Sequence, residues 1–239
     1  MRSGLFLHPL YGFDVAFEFC LGYNKRNELI RRGKMIAQCE KCGSHKWNKI
    51  VEGSEIICPE CNHRWSFKKL PLFILTGCSG VGKTTTAKAL MQKTENTVVL
   101  DADFFYNLMP HETSSDYLAQ IEKLQDLSKN IMQSGRAVVW AKAGNIDMLK
   151  NTYNCRFFSD VYCLALVCKE ETLRERMSKG RGITDEQWIK SSVDYNEYFK
   201  THRDINGISF VVCDIEGMTP DEAAAQVQGW IDRKLTKGM

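Results

Sequence analysis

No apolar run in this 239-residue chain reaches the length of about 18 that a membrane-spanning helix needs. The weakly apolar start, MRSGLFLHPLYGFDVAFEF, is interrupted by His8, Pro9 and Asp14, and no small-residue cleavage site follows it. A signal peptide is therefore not expected. Charge of one sign is also scarce: 32 Lys+Arg against 29 Asp+Glu leave +3, too little to imply a partner. The composition, 44% apolar, 10% aromatic and 26% charged, excludes disorder, collagen and coiled coil for the whole chain. The length allows one large domain, or a domain of about 170 residues plus a small module.

The charge is unevenly placed. Between Asn24 and Lys69 there are 11 Lys+Arg and 5 Asp+Glu, so the segment carries +6 and the rest sums to −3. Residues 1–36 form an N-terminal extension of low information, in which Tyr23–Ile36 is either a short basic helix or a solvated loop. Residues 37–69 hold two cysteine pairs, Cys39-x2-Cys42 and Cys58-x2-Cys61, separated by 15 residues. Four thiolates at this spacing suit a tetrahedral Zn2+ site of the zinc-ribbon kind. Gly43 and Asn62 follow the pairs, and both tolerate the left-handed backbone a cysteine knuckle needs. His45 or His63 replacing a ligand, and disulfides instead of metal, are weaker alternatives. The other six of the ten cysteines are scattered through apolar or glycine-rich stretches. Without an export signal, reduced thiols and a cytoplasmic location are expected. Trp47 and Trp65, set among Lys46, Lys49, Arg64, Lys68 and Lys69, either stack on nucleic acid or cover the knuckles.

From residue 70 onward strand-like and helix-like segments alternate. Leu72–Thr76, Thr97–Leu100, Arg136–Ala141, Asp160–Val167 and Ile208–Cys213 are apolar or β-branched without alternation, as strands buried on both faces are. Tyr117, Ile121, Leu124 and Ile131 follow helical spacing, with Gly135 as the stop. Thr184-x-x-Gln187 reads as a capping box, and Thr219-Pro220-Asp221-Glu222 as a helix start. Such alternation predicts an α/β fold with a parallel sheet covered on both faces.

Gly77-Cys78-Ser79-Gly80-Val81-Gly82-Lys83-Thr84 matches G-x-x-x-x-G-K-[ST], between a buried strand and a helix continuing through Thr85. Glycines let the backbone wrap closely and turn its N–H groups inward, onto phosphate oxygens at the positive end of a helix. Lys83 adds a point charge, and the Thr84 hydroxyl is placed for magnesium. Two carboxylates, Asp101 and Asp103, close the next strand. The third strand ends Trp140-Ala141-Lys142, with no acid of the kind many ATPases place there, which weighs against an AAA-type reading. Lys142 and Asn145 are either substrate contacts or ordinary loop polarity.

Leu72–Leu235 resembles the P-loop small-molecule and nucleoside or nucleotide monophosphate kinases. The resemblance rests on GCSGVGKTT, VVLDAD at Val98–Asp103, SGRAVVWA at Ser134–Ala141, LRERMSKGRG at Leu173–Gly182 and the ending FVVCDIEGMTPDEAAAQVQGWI. It implies a five-stranded parallel sheet of order 2-3-1-4-5 in a kinase domain over residues 70–239, preceded here by the small four-cysteine module. It also implies ATP and Mg2+ as cofactors, with residues Gly77 to Thr85 around the phosphates. Asp101 is then expected on the metal side and Asp103 on the acceptor side, unless Asp103 merely caps the next turn. Arg176 and Arg181 are expected as lid arginines that stabilise the moving phosphoryl group, with Gly180 and Gly182 as hinges. Arg174 reads as a surface pair, and Arg136 as either close to bound nucleotide or a solvated strand start.

The expected function is transfer of the γ-phosphoryl group of ATP to a small acceptor: a nucleoside, nucleoside monophosphate or related metabolite. The alternative is a nucleic-acid-binding protein whose P-loop domain is a polynucleotide kinase or ATPase switch, with the basic cysteine module feeding the site. The paired aspartates favour a hydroxyl acceptor; Arg136 and the lid favour a monophosphate.

Overall fold

The computed structural model describes residues 35–237, so the extension and nearly all of the Tyr23–Ile36 segment lie outside the described residues. Three short strands, β1 (Ile50–Glu52), β2 (Glu55–Ile57) and β3 (Arg64–Ser66), form an antiparallel sheet that carries the cysteine module. The second sheet contains β4 (Leu72–Thr76), β5 (Thr97–Asp101), β6 (Ala137–Ala141), β7 (Val161–Val167), β8 (Asp204–Ile205) and β9 (Ile208–Asp214). Its order is β5-β6-β4-β7-β9-β8. The five parallel strands follow the expected 2-3-1-4-5 order, and each boundary lies within a residue of its sequence prediction.

The sixth strand was not anticipated. β8 pairs antiparallel with β9 through a turn at Asn206 and Gly207, with φ of 48° and 80°. Asn-Gly is the dipeptide that such a left-handed hairpin turn favours, so a local signal was present.

Among the described residues five α-helices cover the large sheet: α1 (Lys83–Met91), α2 (Ser114–Met132), α3 (Glu170–Glu175), α4 (Glu186–Thr201) and α5 (Pro220–Lys237). The uniformly buried β4 shows why its sequence does not alternate. Phe73 and Leu75 pack with Leu90 of α1 and Val227 and Ile231 of α5, while Leu72 and Ile74 pack with Ile121 and Leu124 of α2. At α5, the Thr219 hydroxyl accepts from the Glu222 amide while the Glu222 carboxylate takes the Thr219 amide, as the sequence order predicts. At α4 the cap is Asp185 rather than Thr184: its carboxylate accepts the amides of Gln187 and Trp188.

The cysteine module docks against α2 and the connection after β6. Gln133 brackets the Lys68 backbone, its Oε1 accepting the amide at 2.9 Å and its Nε2 donating to the carbonyl at 3.0 Å. Phe67 meets Phe157 edge-on, Trp47 meets Tyr153 edge-on, and the Tyr153 hydroxyl donates to the Lys49 carbonyl. The anchors at Lys68 and Leu70 lie at the amino edge of the large sheet, where β4, β6 and β7 begin. Five strand residues, about 16 Å, separate that edge from the carboxyl edge. No described helix is long and apolar enough to cross a membrane.

Candidate active site

The phosphate loop joins β4 to α1 at the carboxyl edge, where parallel α/β sheets bind ligands. Two of its glycines are sterically obligatory. A Cβ on Gly77, at φ 140°, would come within 2.6 Å of the Leu166 carbonyl oxygen on β7. A Cβ on Gly80, at φ 81°, would come within 2.6 Å of Met177 Cγ. The loop is thus wedged between β7 and the segment after α3.

Ser79 through Thr86 line a cavity of about 620 Å³, together with Asp103, Ala143, Arg176, Gly180 and Arg181. Its far wall is Ile215, Met218, Thr219, Pro220 and Ala223, from the β9–α5 connection, which sequence reasoning missed. The signal existed: every β-to-α connection of a parallel sheet reaches the same edge. Gly77 and Cys78 build the loop from beneath and do not line the cavity. Cys78 is buried, which pushes its thiol up to about 12. Asn196 of α4 supports this floor: its Nδ2 donates to the Cys168 carbonyl and its Oδ1 accepts the Cys168 amide.

Lys83 Nζ donates to the Cys78 carbonyl at 2.8 Å. Burial holds its pKa below the usual lysine value, against the pull of the charges on Asp103 and Asp101. Both arginines expected on a lid reach the loop: Arg176 donates to the Val81 carbonyl and Arg181 to the Ser79 hydroxyl, each at 2.7 Å. Arg174 instead pairs with Glu170 on the surface of α3, as its spacing predicts. The segment expected as a lid is one turn of π-type helix, Arg176–Gly180; Gly182 beyond it has a φ of 67° and open space around it.

The two aspartates part company. Asp101 Oδ1 accepts the Asp103 amide and so caps the Ala102–Asn107 turn. Asp103 lines the cavity and Asp101 does not. Arg136 is exposed and precedes β6, at the amino edge. That placement matches the second of its two readings, a solvated strand start, because a parallel strand separates it from the loop. Trp140-Ala141-Lys142 does close β6 without an acid, and Lys142 is buried there.

The four cysteine sulfurs lie within 4.8 Å of one another. Cys39 and Cys61 sulfurs are 3.7 Å apart, and those of Cys42 and Cys58 are 3.6 Å apart. A Zn–S bond of about 2.3 Å puts tetrahedral sulfurs about 3.8 Å apart, so the cage fits zinc. The knuckles repeat one another: Gly43 donates to the Cys39 carbonyl at 2.9 Å and Asn62 to the Cys58 carbonyl at 3.0 Å. Both adopt the left-handed backbone, at φ 72° and 55°. His63 stacks on Trp65 and stands outside the cage. Trp65 is buried as a cover for the knuckles, whereas Trp47 is exposed.

Loop and strand order together define a phosphate-loop protein with the kinase-type α/β fold. Residues 74–197, just over half of the chain, match the family model described as "AAA domain", and the chain belongs to that family. The match overturns the weight that the missing acid after β6 placed against an AAA-type reading, although the acid is indeed missing. No curated protein matches the sequence significantly. Among solved structures, an unliganded sugar kinase from Janibacter sp. HTCC2649 shares 20% identity at a TM-score of 0.50, over 68% of this chain and 95% of its own. A gluconokinase from Sinorhizobium meliloti 1021 shares 15% identity at a TM-score of 0.48, over 72% of this chain and 95% of its own. A shikimate kinase from Acinetobacter baumannii, solved with shikimate, shares 15% identity at a TM-score of 0.46, over 70% of this chain and 96% of its own.

Proposed function

We propose that the chain is an ATP-dependent phosphotransferase that moves the γ-phosphoryl group onto a hydroxyl of a small molecule. One observation carries this reading: Asp103 shares a cavity with Lys83, Arg176 and Arg181. A carboxylate beside a phosphate site is a proton acceptor in the place where a nucleophile must lose its proton. The triphosphate tail lies on the amides of the loop and the start of α1. Lys83 exchanges its Cys78 carbonyl for a phosphate oxygen. Arg176 and Arg181 exchange the Val81 carbonyl and Ser79 hydroxyl for the charge that spreads over the moving group. The acceptor hydroxyl gives its proton to Asp103 as its oxygen bonds to the γ-phosphorus. The bond to the β-bridging oxygen breaks, ADP leaves, and Asp103 returns the proton to solvent. Magnesium bound with the nucleotide would be held from the Thr84 hydroxyl, which lines the cavity, and would neutralise phosphate charge.

A hydroxyl acceptor is favoured over a monophosphate because Asp103 faces the cavity while Arg136 stands at the opposite edge of the sheet. The nucleic-acid alternative loses support for similar reasons. Trp65 is buried, and the basic module docks at the amino edge, away from the loop. The test is ADP release with ATP and a panel of small alcohols, sugars and nucleosides. Asp103→Asn should cut transfer by roughly 10²- to 10⁴-fold and basal ATP hydrolysis much less. Equal losses would reassign Asp103 to metal binding. Lys83→Ala should abolish transfer with an unchanged circular dichroism spectrum; undiminished turnover would refute the role of the loop.

A further inference from the structure

The short helix α3 is not capped by the residue before it, Lys169. Its cap comes from the β9–α5 connection, 47 residues further along the chain. Glu216 Oε2 accepts the Lys169 amide at 2.9 Å, and Glu216 Oε1 accepts the Thr172 hydroxyl at 2.8 Å. In a capping box the carboxylate that takes this amide belongs to the third helical residue. Here that residue is Thr172, and it donates to the same distant carboxylate. Glu216 is held at its base as well: its amide donates to Asp214 Oδ1, and the Ile215 amide to the Val167 carbonyl, each at 2.9 Å.

About one turn beyond Thr172 the helix reaches Arg176, whose Nη1 donates to the Val81 carbonyl. Glu170 and Glu175 pair with Arg174 and Lys179, and among the described residues no carboxylate pairs with Arg176. A Cβ on Gly82 would lie 3.4 Å from Ile215 Cδ1 and 3.8 Å from Arg176 Nη1, so loop, β9–α5 connection and guanidinium meet there. Ile215 and Arg176 both line the cavity, whereas Glu216 does not.

Leu173 and Met177 pack beneath Gly80 and set how closely α3 approaches the loop. Apolar contact is non-directional, so it leaves the rotation of the helix open. The two bonds to Glu216 are directional and charge-assisted, and they fix its start. Resting on the phosphotransferase reading above, we infer that Glu216 is a positioning residue for phosphoryl transfer. It ties the connection that carries Ile215 to the start of α3, and so sets where Arg176 stands over the phosphate loop.

The test uses the full chain with ATP and magnesium, reading ADP release with water alone and with the acceptor panel above. Arg176→Ala should lower kcat about 10³-fold. Glu216→Ala should lower kcat about 100-fold, the cost of a displacement of about 1 Å, and leave ADP affinity within about two-fold. With Arg176 already replaced, Glu216→Ala should cost less than about two-fold more, because the two residues act as a unit. Glu216→Gln keeps one of the two acceptor oxygens and should recover part of the loss. Lys169 is exposed, so water can take the place of the carboxylate and the variants should fold. A Glu216→Ala loss of equal size in both backgrounds, or no loss in the parent, overturns the inference while the kinase reading stands. An unchanged kcat in Arg176→Ala overturns it together with the role given to that arginine. No ADP release in any condition overturns the kinase reading as well.

Discussion

Replacing Gly77 with alanine tests whether the phosphate loop is wedged as described. The φ of 140° is a conformation that an L side chain rarely adopts, and the new Cβ would lie 2.6 Å from the Leu166 carbonyl oxygen. That oxygen belongs to the backbone of β7, a central strand, and cannot swing aside. The dihedral alone costs roughly 1–3 kcal/mol, and relieving the overlap displaces the loop from β7. About 3 kcal/mol in total corresponds to a melting temperature lower by roughly 6–12 °C in a domain of this size. A loop shifted by about 1 Å should also lose on the order of 100-fold in phosphoryl transfer. Gly180→Ala is the control: its Cβ would meet nothing within 4 Å and its φ is not positive. That variant should match the parent in stability or exceed it by a few tenths of a kcal/mol. Calorimetry and ATP titration read both. A Gly77→Ala protein that melts within about 1 °C of the parent and binds ATP normally would mean that the loop is not held against β7.

Metal analysis should find one zinc per chain. Chelation should loosen residues 37–69 and quench the distinct fluorescence of buried Trp65, while ATP binding survives because the module is anchored at the far edge of the sheet. Loss of ATP affinity together with the metal would make the two sheets one cooperative unit. Burial holds the Lys142 ammonium below its ordinary value of 10.5. Between the folded value and 10.5 the unfolded chain binds more protons, so this residue's contribution to stability rises with pH across that window. The parent should therefore gain on Lys142→Met between pH 7 and pH 10 in urea unfolding, and a gap moving the other way would refute the burial.

Local chemistry decides much of this protein without help from the fold. The spacing around Lys83 dictates a phosphate loop, because only glycine reaches the backbone angles its turns use. The cysteine spacing with Gly43 and Asn62 dictates two knuckles, and the unalternating apolar runs of β4, β6 and β7 dictate strands covered on both faces, whereas β9 alternates, with Val211 exposed. Thr219-Pro220-Asp221-Glu222 dictates a helix start, since all its partners lie within three residues. Distance in space decides the remainder. Thr184 and Asp185 both offer an oxygen, and the position at which α4 docks selects Asp185. Asp101 and Asp103 are the same residue type two positions apart, and the turn after β5 sends one to cap its own backbone and the other into the cavity. Arg136 and Lys142 bracket a single strand. The direction of that strand leaves one in solvent, while packing around the carboxyl edge buries the other. Burial and charge proximity are sums over residues far apart in the chain, which no window of sequence contains.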